Sequence, residues 1–447
     1  MVSYIDETAL DGQLFRKLQT KLSDGSSRYK TLHDYYSGDA PLPHGPRGSN
    51  QVFRDFQKKA RANWAELVVD ATRERLEPTG FRTGADGDEL GDKEARRIWQ
   101  ANNLDAESTL IHQTMLAQAD SYAIVGDIDP EIGAPLITAE DPLEVVTLHD
   151  PARRRRVTSA LKVWEDPSGD RRAVIYVPGG VRMARSVGGT TWAWDDEWTS
   201  LPAALANDVP VVRFANRRDL RGNSRGEFET VIDDIDRINL MILQRLTVAV
   251  YQAFRQRAVK GLPMKDNSGQ SIDWSGAFDA DPGSLWALPP GADLWESGGV
   301  DLTPILESVK ADIRDLAART RTPMFYLFPD AANGSAEGAS LQREGLVFKC
   351  RDRIRAASEP WEQVMSLAFK WSGDLERAAR PDMECVWSPP ERFSLSEKMD
   401  AASKATAAGV PWSTVMSEIM QFSPQQIERM TAERASDLLL TASFDAN

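Results

Sequence analysis

The sequence has few of the residues and motifs that mark a catalytic or disulfide-stabilised protein. Among its 447 residues are two cysteines, Cys350 and Cys385, and four histidines. Two cysteines without metal-ligand spacing predict core thiols in a reducing compartment, because they are too few for a disulfide framework. The sequence also lacks GxxxxGK[ST], HExxH and paired CxxC motifs. We therefore expect no catalytic residue, no cofactor and no metal site.

Positive charge is in deficit, and long apolar runs are absent from the sequence. The 53 Lys and Arg against 67 Asp and Glu give a formal net charge of -14. This balance argues against a protein that mainly grips DNA or an anionic membrane, and leaves room only for brief nucleic-acid contact. The most apolar window, 238–254, contains Arg245 and is shorter than the about 20 residues that a bilayer requires. With no basic or apolar signal region at the N-terminus, we expect neither secretion nor a membrane span.

The chemical groups that are present have structural interpretations. The four histidines are scattered over turns and helix faces, where structural or solvated roles are expected: His33, His44, His112 and His149. An acidic run between two tryptophans could hold a metal ion, but its hairpin-like context favours a solvated turn: Asp195, Asp196 and Glu197. The basic run 153–156 predicts a surface turn, with phosphate or partner contact as the alternative.

The N-terminal half predicts one α+β domain. The hydrophobic content of the whole chain, 41%, is enough for a sizeable core. Helical spacing predicts two short helices over 1–36 that are broken at Gly25, one helix over about 57–77 and another over about 89–118. Between 121 and 214, short β-branched and aromatic runs separated by Gly, Pro and Asp predict an antiparallel sheet.

Beyond Gly226 the pattern changes to long helices. Residues 227–259 predict one helix of about 33 residues, roughly 50 Å long. Its second half carries apolar residues on several faces, which predicts burial against other subunits, although a long core helix with a solvated acidic face remains an alternative. A Gly/Pro/Trp-rich module over 261–300 and a second helix over 301–320 follow.

An unusual segment separates that second helix from the next one. The apolar run 323–328 is followed by residues without bulky or basic side chains, and a helix then contains Pro360, which should kink it near Ala356. A strand over about 383–388 and a helical tail from Ser394 end the pattern, with a capping box at Ser423.

This arrangement resembles the portal proteins of tailed bacteriophages, of the SPP1-like type common among phages of actinobacteria. The resemblance covers nearly the whole chain. The segments that carry it, besides the order helix, module, helix, loop, kinked helix and tail, are 32–43, 63–81, 139–150 and 236–261.

The resemblance implies a portal fold that assembles as a ring of about twelve subunits at one capsid vertex. It implies the following parts: an α/β wing (1–225), two stem helices (226–259 and 301–322), a clip (260–300), a tunnel loop (323–337), a kinked helix with a return to the wing (338–393) and a short helical crown (394–447). It implies that double-stranded DNA is packaged and ejected through the ring, with transient, non-specific contact. The implied partners are the terminase large subunit, a head-tail adaptor, and the major capsid and scaffolding proteins, in the virion.

The resemblance also assigns candidate residues. The channel loop comprises Asp330, Ala331, Ala332, Asn333, Gly334, Ser335, Ala336 and Glu337, anchored by Phe325, Tyr326 and Phe328. The stem interface between subunits comprises Ile238, Ile242, Leu246, Val250 and Phe254, and the clip contains Trp274, Trp286 and Trp295. Two other classes stay open: a monomeric minor virion or binding protein, and a metal-dependent nuclease built on acidic pairs.

Overall fold

The computed structural model describes residues 3–6, 8–44, 51–84, 91–189, 191–253, 257–265, 268–274, 288, 291–296, 298–328 and 336–445. Its helices are α1 (Leu10–Tyr36), α2 (Gln51–Ala60), α3 (Trp64–Arg73), α4 (Lys93–Ala101), α5 (Leu104–Gln118), α6 (Ile232–Ala253), α7 (Thr303–Thr320), α8 (Met324–Leu327), α9 (Ala336–Trp371), α10 (Leu375–Ala378), α11 (Leu395–Ala407), α12 (Trp412–Thr414) and α13 (Pro424–Asp445). Its strands are β1 (Ser3–Tyr4), β2 (Pro78–Arg82), β3 (Asp120–Asp129), β4 (Ala134–Glu140), β5 (Val145–His149), β6 (Val157–Glu165), β7 (Arg171–Val177), β8 (Gly180–Val187), β9 (Thr191–Trp194), β10 (Thr199–Ser200), β11 (Val211–Ala215), β12 (Arg257–Lys260), β13 (Asp293–Glu296) and β14 (Glu384–Trp387).

The central strands form two antiparallel sheets where the sequence predicted one. Seven strands form the larger sheet in the order β1-β9-β8-β7-β6-β5, with β10 pairing with β8. Three strands form the smaller sheet in the order β11-β3-β4. The α+β class and the antiparallel pairing are confirmed.

Helix α1 covers one face of the larger sheet. Phe15 lies edge-on to Trp192 and Trp194, with ring centroids 5.5 and 5.6 Å apart, and Leu18 beside it is fully buried. Alternating residues of β6, β7 and β8 point into the same core, so the amphipathic stripe of α1 and the period of the strands fit together.

Helix α9 forms the centre of a second core. Trp361 is fully buried, and its ring lies 4.9 Å from the rings of both Trp99 and Phe214. Beside this core, β14 pairs antiparallel with β2, so the predicted strand near 383–388 does return to the N-terminal half of the chain. Pro360 lies inside α9 as predicted.

The chain divides into two compact units. The first, called here the α/β unit, comprises 1–40, 63–231 and 317–447. The second, the helix-hairpin unit, comprises 41–62 and 232–316. Inside the second unit, α2 packs on α6, the Asn239 side chain accepts a hydrogen bond from the Ala62 backbone N–H at 3.1 Å, and Arg237 of α6 pairs with Asp312 of α7 at 3.2 Å.

The predicted break of the first helix at Gly25 is wrong. Helix α1 runs unbroken, because its side chains are tied to distant parts of the α/β unit. The Lys21 ammonium donates to the Thr147 carbonyl at 2.9 Å, Arg28 binds the Glu229 carboxylate at 2.6 Å, and the Tyr29 hydroxyl donates to Asp120 at 2.8 Å. These contacts override the low helix propensity of a single glycine.

Two other predicted helices are each divided into two shorter helices at asparagine residues. The predicted helix over 57–77 is split into α2 and α3, because the Asn63 side chain caps α3 by accepting from the Glu66 N–H at 3.2 Å. The predicted helix over 89–118 is split into α4 and α5 at Asn102 and Asn103, and Asn103 has the left-handed φ of 51°.

The longest predicted helix is also shorter than expected. Helix α6 has 22 residues, about 33 Å, instead of spanning 227–259. Residues 257–260 form β12, which pairs with β13, because main-chain hydrogen bonds to a partner strand replace those of a helix. Within the described residues, no helix is both long and apolar enough to cross a bilayer.

Candidate functional site: the turn before α9 and its buried ion cluster

The chain turns sharply at the end of α7. Arg321 takes the left-handed φ of 54° that ends α7, and the Thr322 N–H donates back to the Ala317 carbonyl at 2.9 Å. Pro323 then begins α8, a single helical turn in which the Phe328 N–H donates to the Met324 carbonyl at 2.7 Å. The apolar start of the predicted loop is therefore an ordered turn.

The predicted loop anchors lie in or directly after α8. Phe325, Tyr326 and Phe328 are all partly buried, and the Phe325 and Tyr326 rings lie 4.8 Å apart. The channel-loop residues Asp330, Ala331, Ala332, Asn333, Gly334 and Ser335 lie outside the described residues. Ala336 and Glu337, predicted as the end of the loop, instead begin α9.

A buried ion cluster fixes the chain on both sides of this turn. Glu227 lies just before α6 in the sequence and accepts from Arg353 at 2.5 Å, from Asn216 at 3.0 Å and from Lys349 at 3.2 Å. The Lys349 ammonium also donates to the Thr320 carbonyl at 3.0 Å, in the last turn of α7. One carboxylate and one lysine thus connect the residue after β11, the chain before α6, the end of α7 and the middle of α9.

The ionisation of the cluster follows from its neighbours. The side chains of Glu227 and Lys349 are 2% and 3% exposed. Burial opposes the charged carboxylate, but the two cations Lys349 and Arg353 outweigh it and lower the pKa of Glu227 to about 2. The carboxylate is therefore ionised at neutral pH. Without Glu227, Lys349 and Arg353 would be buried charges without compensation.

Sequence reasoning missed this cluster, although a signal for it exists. Lys349 and Arg353 lie four residues apart on α9, within a stripe that also contains buried Leu346, Cys350 and Ala357. Cations on the apolar face of a helix require a buried acid, but the sequence alone does not say which acid supplies the charge.

The predicted stem residues divide into two groups. Ile238 is fully buried by its own chain, whereas Ile242, Leu246 and Val250 along the same helix are only partly buried. Phe254 lies outside the described residues. The second half of α6 therefore keeps apolar surface that the described residues of the chain do not cover.

The predicted clip contains a two-stranded sheet. Its strands pair Arg257 with Glu296 and Lys260 with Asp293, so this sheet begins earlier than the predicted boundary at 260. The Trp274 Nε1–H donates to the Pro263 carbonyl at 2.9 Å, and the Trp295 side chain is 49% exposed. Trp286 lies outside the described residues.

The candidate chemical groups have structural partners. Asp195 pairs with Arg172 and Arg185 at 3.2 and 3.1 Å, and Asp196 accepts from the Met183 N–H, so this acidic run belongs to a salt-bridged turn. Glu197 is exposed beside them. Across the described ranges, no three His, Cys, Asp or Glu side chains cluster closely enough to hold a metal ion.

The histidines and cysteines are distributed as expected. His33 and His44 are exposed. Burial lowers the pKa of His112 to about 3, and burial with nearby arginines lowers that of His149 to about 4. Cys350 and Cys385 are buried free thiols, and burial raises the pKa of both.

The basic run 153–156 forms an exposed surface turn, as predicted. Arg155 pairs with Glu359 of α9 at 2.8 Å, and both side chains are solvent-accessible. The turn borders a concave region of about 460 Å³, whose lining includes Arg217, Arg218 and Arg355. Positive charge is thus concentrated on one part of an acidic chain.

The chain is similar to known proteins over most of its length. The sequence profile described as "Phage portal protein, SPP1 Gp6-like" matches residues 17–438. The portal protein of Mycobacterium phage L5 is 30% identical over 380 residues, covering 80% of this chain and 75% of that protein. The portal protein of Mycobacterium phage D29 is 30% identical over 376 residues, covering 78% and 73%.

The chain belongs to the phage portal protein family. This membership confirms the predictions of a portal protein and of a virion component. The family is a structural one.

Solved structures also resemble this portal protein at low identity. A chain from the neck of an empty GTA particle, computed with C6 symmetry, is 13% identical, with a TM-score of 0.44 and coverage of 87% of this chain and 97% of that one. A chain from the neck of a native GTA particle, computed with C12 symmetry, is 14% identical, with a TM-score of 0.42 and coverage of 86% and 97%.

Proposed function

We propose that this portal protein assembles into a ring of about twelve subunits that forms the channel for double-stranded DNA at one capsid vertex. The observation that carries the proposal is the family match, which extends over residues 17–438. In this role the ring passes DNA inward during packaging and outward during ejection, and it joins the head to the tail. Its partners would be the terminase large subunit, a head-tail adaptor, and the major capsid and scaffolding proteins.

We assign the parts of the ring from the described elements. Helices α6 and α7 would form the stem, and the two-stranded sheet of β12 and β13 would lie in the clip. Residues 323–335 would form the tunnel loop. The α/β unit would supply the wing, α9 and, from Ser394 onward, the crown. The partly buried apolar face of α6 supports this assignment, because a ring subunit needs apolar surface for its neighbours to cover.

The composition of the loop suits a channel wall. Its residues 330–335 include no basic side chain, so they would approach a moving duplex without binding phosphate. The net charge of -14 per chain further disfavours adhesion of DNA, although screening limits that effect to about 8 Å at physiological salt. Contact with DNA would be brief and independent of sequence.

The first experiment is direct imaging and native mass measurement of the purified chain. A closed ring with a central channel is the expected result. A monodisperse monomer at high protein concentration would instead favour the minor virion or binding protein.

The second experiment tests for enzymatic activity. The protein should neither hydrolyse ATP nor cut DNA with Mg²⁺ or Mn²⁺, because the sequence has no nucleotide-binding loop. Packaging should then require a separate motor. ATP turnover, or cation-dependent cleavage, that co-purifies with the protein through stringent steps would contradict this expectation.

A further inference from the structure

Two turns at opposite ends of strand β3 have complementary surfaces. The first, called here the acidic tip, comprises the end of β3 and the turn into β4 over 126–133, and it carries Asp127, Asp129 and Glu131. The second, the basic loop, is the segment 216–223 after β11, which carries Arg217, Arg218 and Arg221. Each turn also exposes one large aliphatic side chain.

The acidic tip is ordered and its charges are unpaired. The Asp129 carboxylate accepts from the Glu131 N–H at 2.7 Å, and the Gly133 N–H donates to the Asp129 carbonyl at 2.8 Å. Ile128, between the acids, is 46% exposed. In the part of the chain that the structure describes, no basic side chain forms an ion pair with Asp127, Asp129 or Glu131.

The basic loop is ordered in the same way. The Asp219 carboxylate accepts from the N–H groups of Arg221 and Asn223 at 2.8 and 2.9 Å. Leu220 at its apex is 88% exposed. Over the described ranges, Arg217, Arg218 and Arg221 have no ion-pair partner. An exposed leucine among unpaired arginines is the counterpart of an exposed isoleucine among unpaired acids.

The register of the smaller sheet separates the two turns. Ala215, directly before the basic loop, is paired with Asp120 at the start of β3. The acidic tip lies at the other end of the same strand, where Asp129 is nine residues beyond Asp120. At about 3.3 Å per residue, the two turns lie about 30 Å apart and cannot meet within one chain.

We propose that the basic loop of one subunit docks on the acidic tip of the next copy of this chain. A ring needs two different, complementary faces on each subunit, and turns at opposite ends of one strand supply them. The arginines and acids would steer and align neighbouring subunits, while Leu220 and Ile128 would supply apolar contact at the centre of the interface. This inference rests on the ring of the proposed function and specifies one interface within it.

Charge reversal provides the test, with assembly measured by native mass and imaging across protein concentrations and ionic strengths. The loop variant is R218E/R221E, which leaves Arg217, with its left-handed φ of 48°, unchanged. The tip variant is D127K/E131K. A matched control, E165K/D170K, reverses two acids around the exposed β6–β7 turn in the larger sheet.

We expect each of the first two variants to need roughly tenfold more protein than the unmodified chain for half-assembly at low salt. The control should assemble at the unmodified concentration. The quadruple variant R218E/R221E/D127K/E131K should regain assembly, because every interface would again join opposite charges. A 1:1 mixture of the loop and tip variants should also assemble, as alternating rings with an even number of subunits.

The outcomes separate this inference from the proposed ring. If the loop and tip variants form rings at the same protein concentration as the unmodified chain, the proposed docking is wrong while the ring still stands. The same conclusion follows if the quadruple variant fails to regain assembly. If the loop variant assembles normally but packages DNA with an altered salt dependence, the basic loop contacts phosphate instead, which also overturns the docking. If the unmodified chain forms no ring at all, the proposed function and this inference both fail.

Discussion

The α/β unit and the helix-hairpin unit differ in how completely one chain buries its apolar side chains. In the α/β unit, Trp361, Phe214 and Phe369 are all fully buried. In the helix-hairpin unit, Ile242 and Leu246 of α6 are only partly buried, and Trp295 is 49% exposed. The first unit completes its core within a single chain, whereas the second would complete it with neighbouring copies.

The ion pairs of the two units differ in the same way. Asp120 and Glu227 of the α/β unit are 1% and 2% exposed and bind Arg213, Lys349 and Arg353. The helix-hairpin unit has more accessible pairs, such as Arg257 with Glu296, whose side chains are 28% and 35% exposed. Breaking a buried pair costs several kcal/mol and breaking an exposed pair costs about 1 kcal/mol or less. Burial between subunits would therefore stabilise the second unit more than its ion pairs do.

The largest effect is expected when charges are placed on the uncovered face of α6. In the variant I242D/L246D, two carboxylates would have to be buried between subunits, at a cost of several kcal/mol. Rings should fail to form, while circular dichroism and aromatic fluorescence of the α/β unit should largely persist. The exposed position Gln244 on the same helix provides the control Gln244→Asp, which should assemble normally. Normal rings from I242D/L246D would mean that this face of α6 is not a subunit contact.

The next effect in size should come from breaking the buried ion cluster of the α/β unit. Glu227→Ala would leave Lys349 and Arg353 buried without their carboxylate, and should lower the free energy of unfolding by about 3–5 kcal/mol in urea titrations. Glu307, which pairs with Lys310 on the exposed face of α7, gives the matched control Glu307→Ala, with an expected loss much smaller than that of Glu227→Ala. If both substitutions lowered the free energy of unfolding equally, the contrast between buried ion pairs in one unit and exposed pairs in the other would be wrong.

The same carboxylate gives the pH dependence a defined sign. The pKa of Glu227 is lowered from 4.5 to about 2 in the folded chain. Its contribution to stability is therefore complete above about pH 4.5 and is lost as the pH falls toward 2. Glu227→Ala should remove this part of the acid sensitivity, as measured by urea titrations across that pH window.

A smaller effect, confined to the α/β unit, should come from His112. Its Nε2 accepts from the Trp361 Nε1–H at 2.9 Å, and burial lowers its pKa from 6.5 to about 3. Because the unfolded chain takes up this proton first, the folded state should lose about 2 kcal/mol between pH 6.5 and 5. His112→Gln keeps an acceptor but cannot titrate, so its stability should change less over this range. The exposed His33→Gln provides a control for the histidine-to-glutamine substitution itself.

Local patterns predicted the α/β unit well where packing followed the hydrophobic period. Most of its strands were found because apolar residues recur at the spacing of strands. Gly25 misled the prediction, since contacts from Lys21, Arg28 and Tyr29 to remote residues hold α1 together there. Propensity is local, whereas such contacts join positions more than 90 residues apart.

Sequence-based prediction failed for a different reason in the helix-hairpin unit and in the turn before α9. The apolar pattern of α6 continues beyond Ala253, so periodicity alone could not show that 257–260 pair with 293–296 as strands. The partners of Lys349 were equally hidden, because Glu227 and Thr320 approach it only in the folded chain. The anchor role of Phe325, Tyr326 and Phe328 stays a prediction, which rests on a run of large apolar residues next to a proline.

The smallest effect on folding and assembly is expected at the loop between α8 and α9, where only DNA transport should respond. Changing Asn333, Gly334 and Ser335 to Lys should leave rings intact, because small polar residues contribute little burial. About thirty-six added cations per ring of about twelve would lie close to phosphates, so packaging should slow at low salt and recover as salt rises. The matched change of the same residues to Gln adds bulk without charge and should show little salt dependence. The measurement is nuclease-protected DNA in assembled heads at several ionic strengths. Packaging by the Lys variant at the unmodified rate at every salt concentration would show that the loop does not meet DNA, and that the wall of the channel is formed elsewhere.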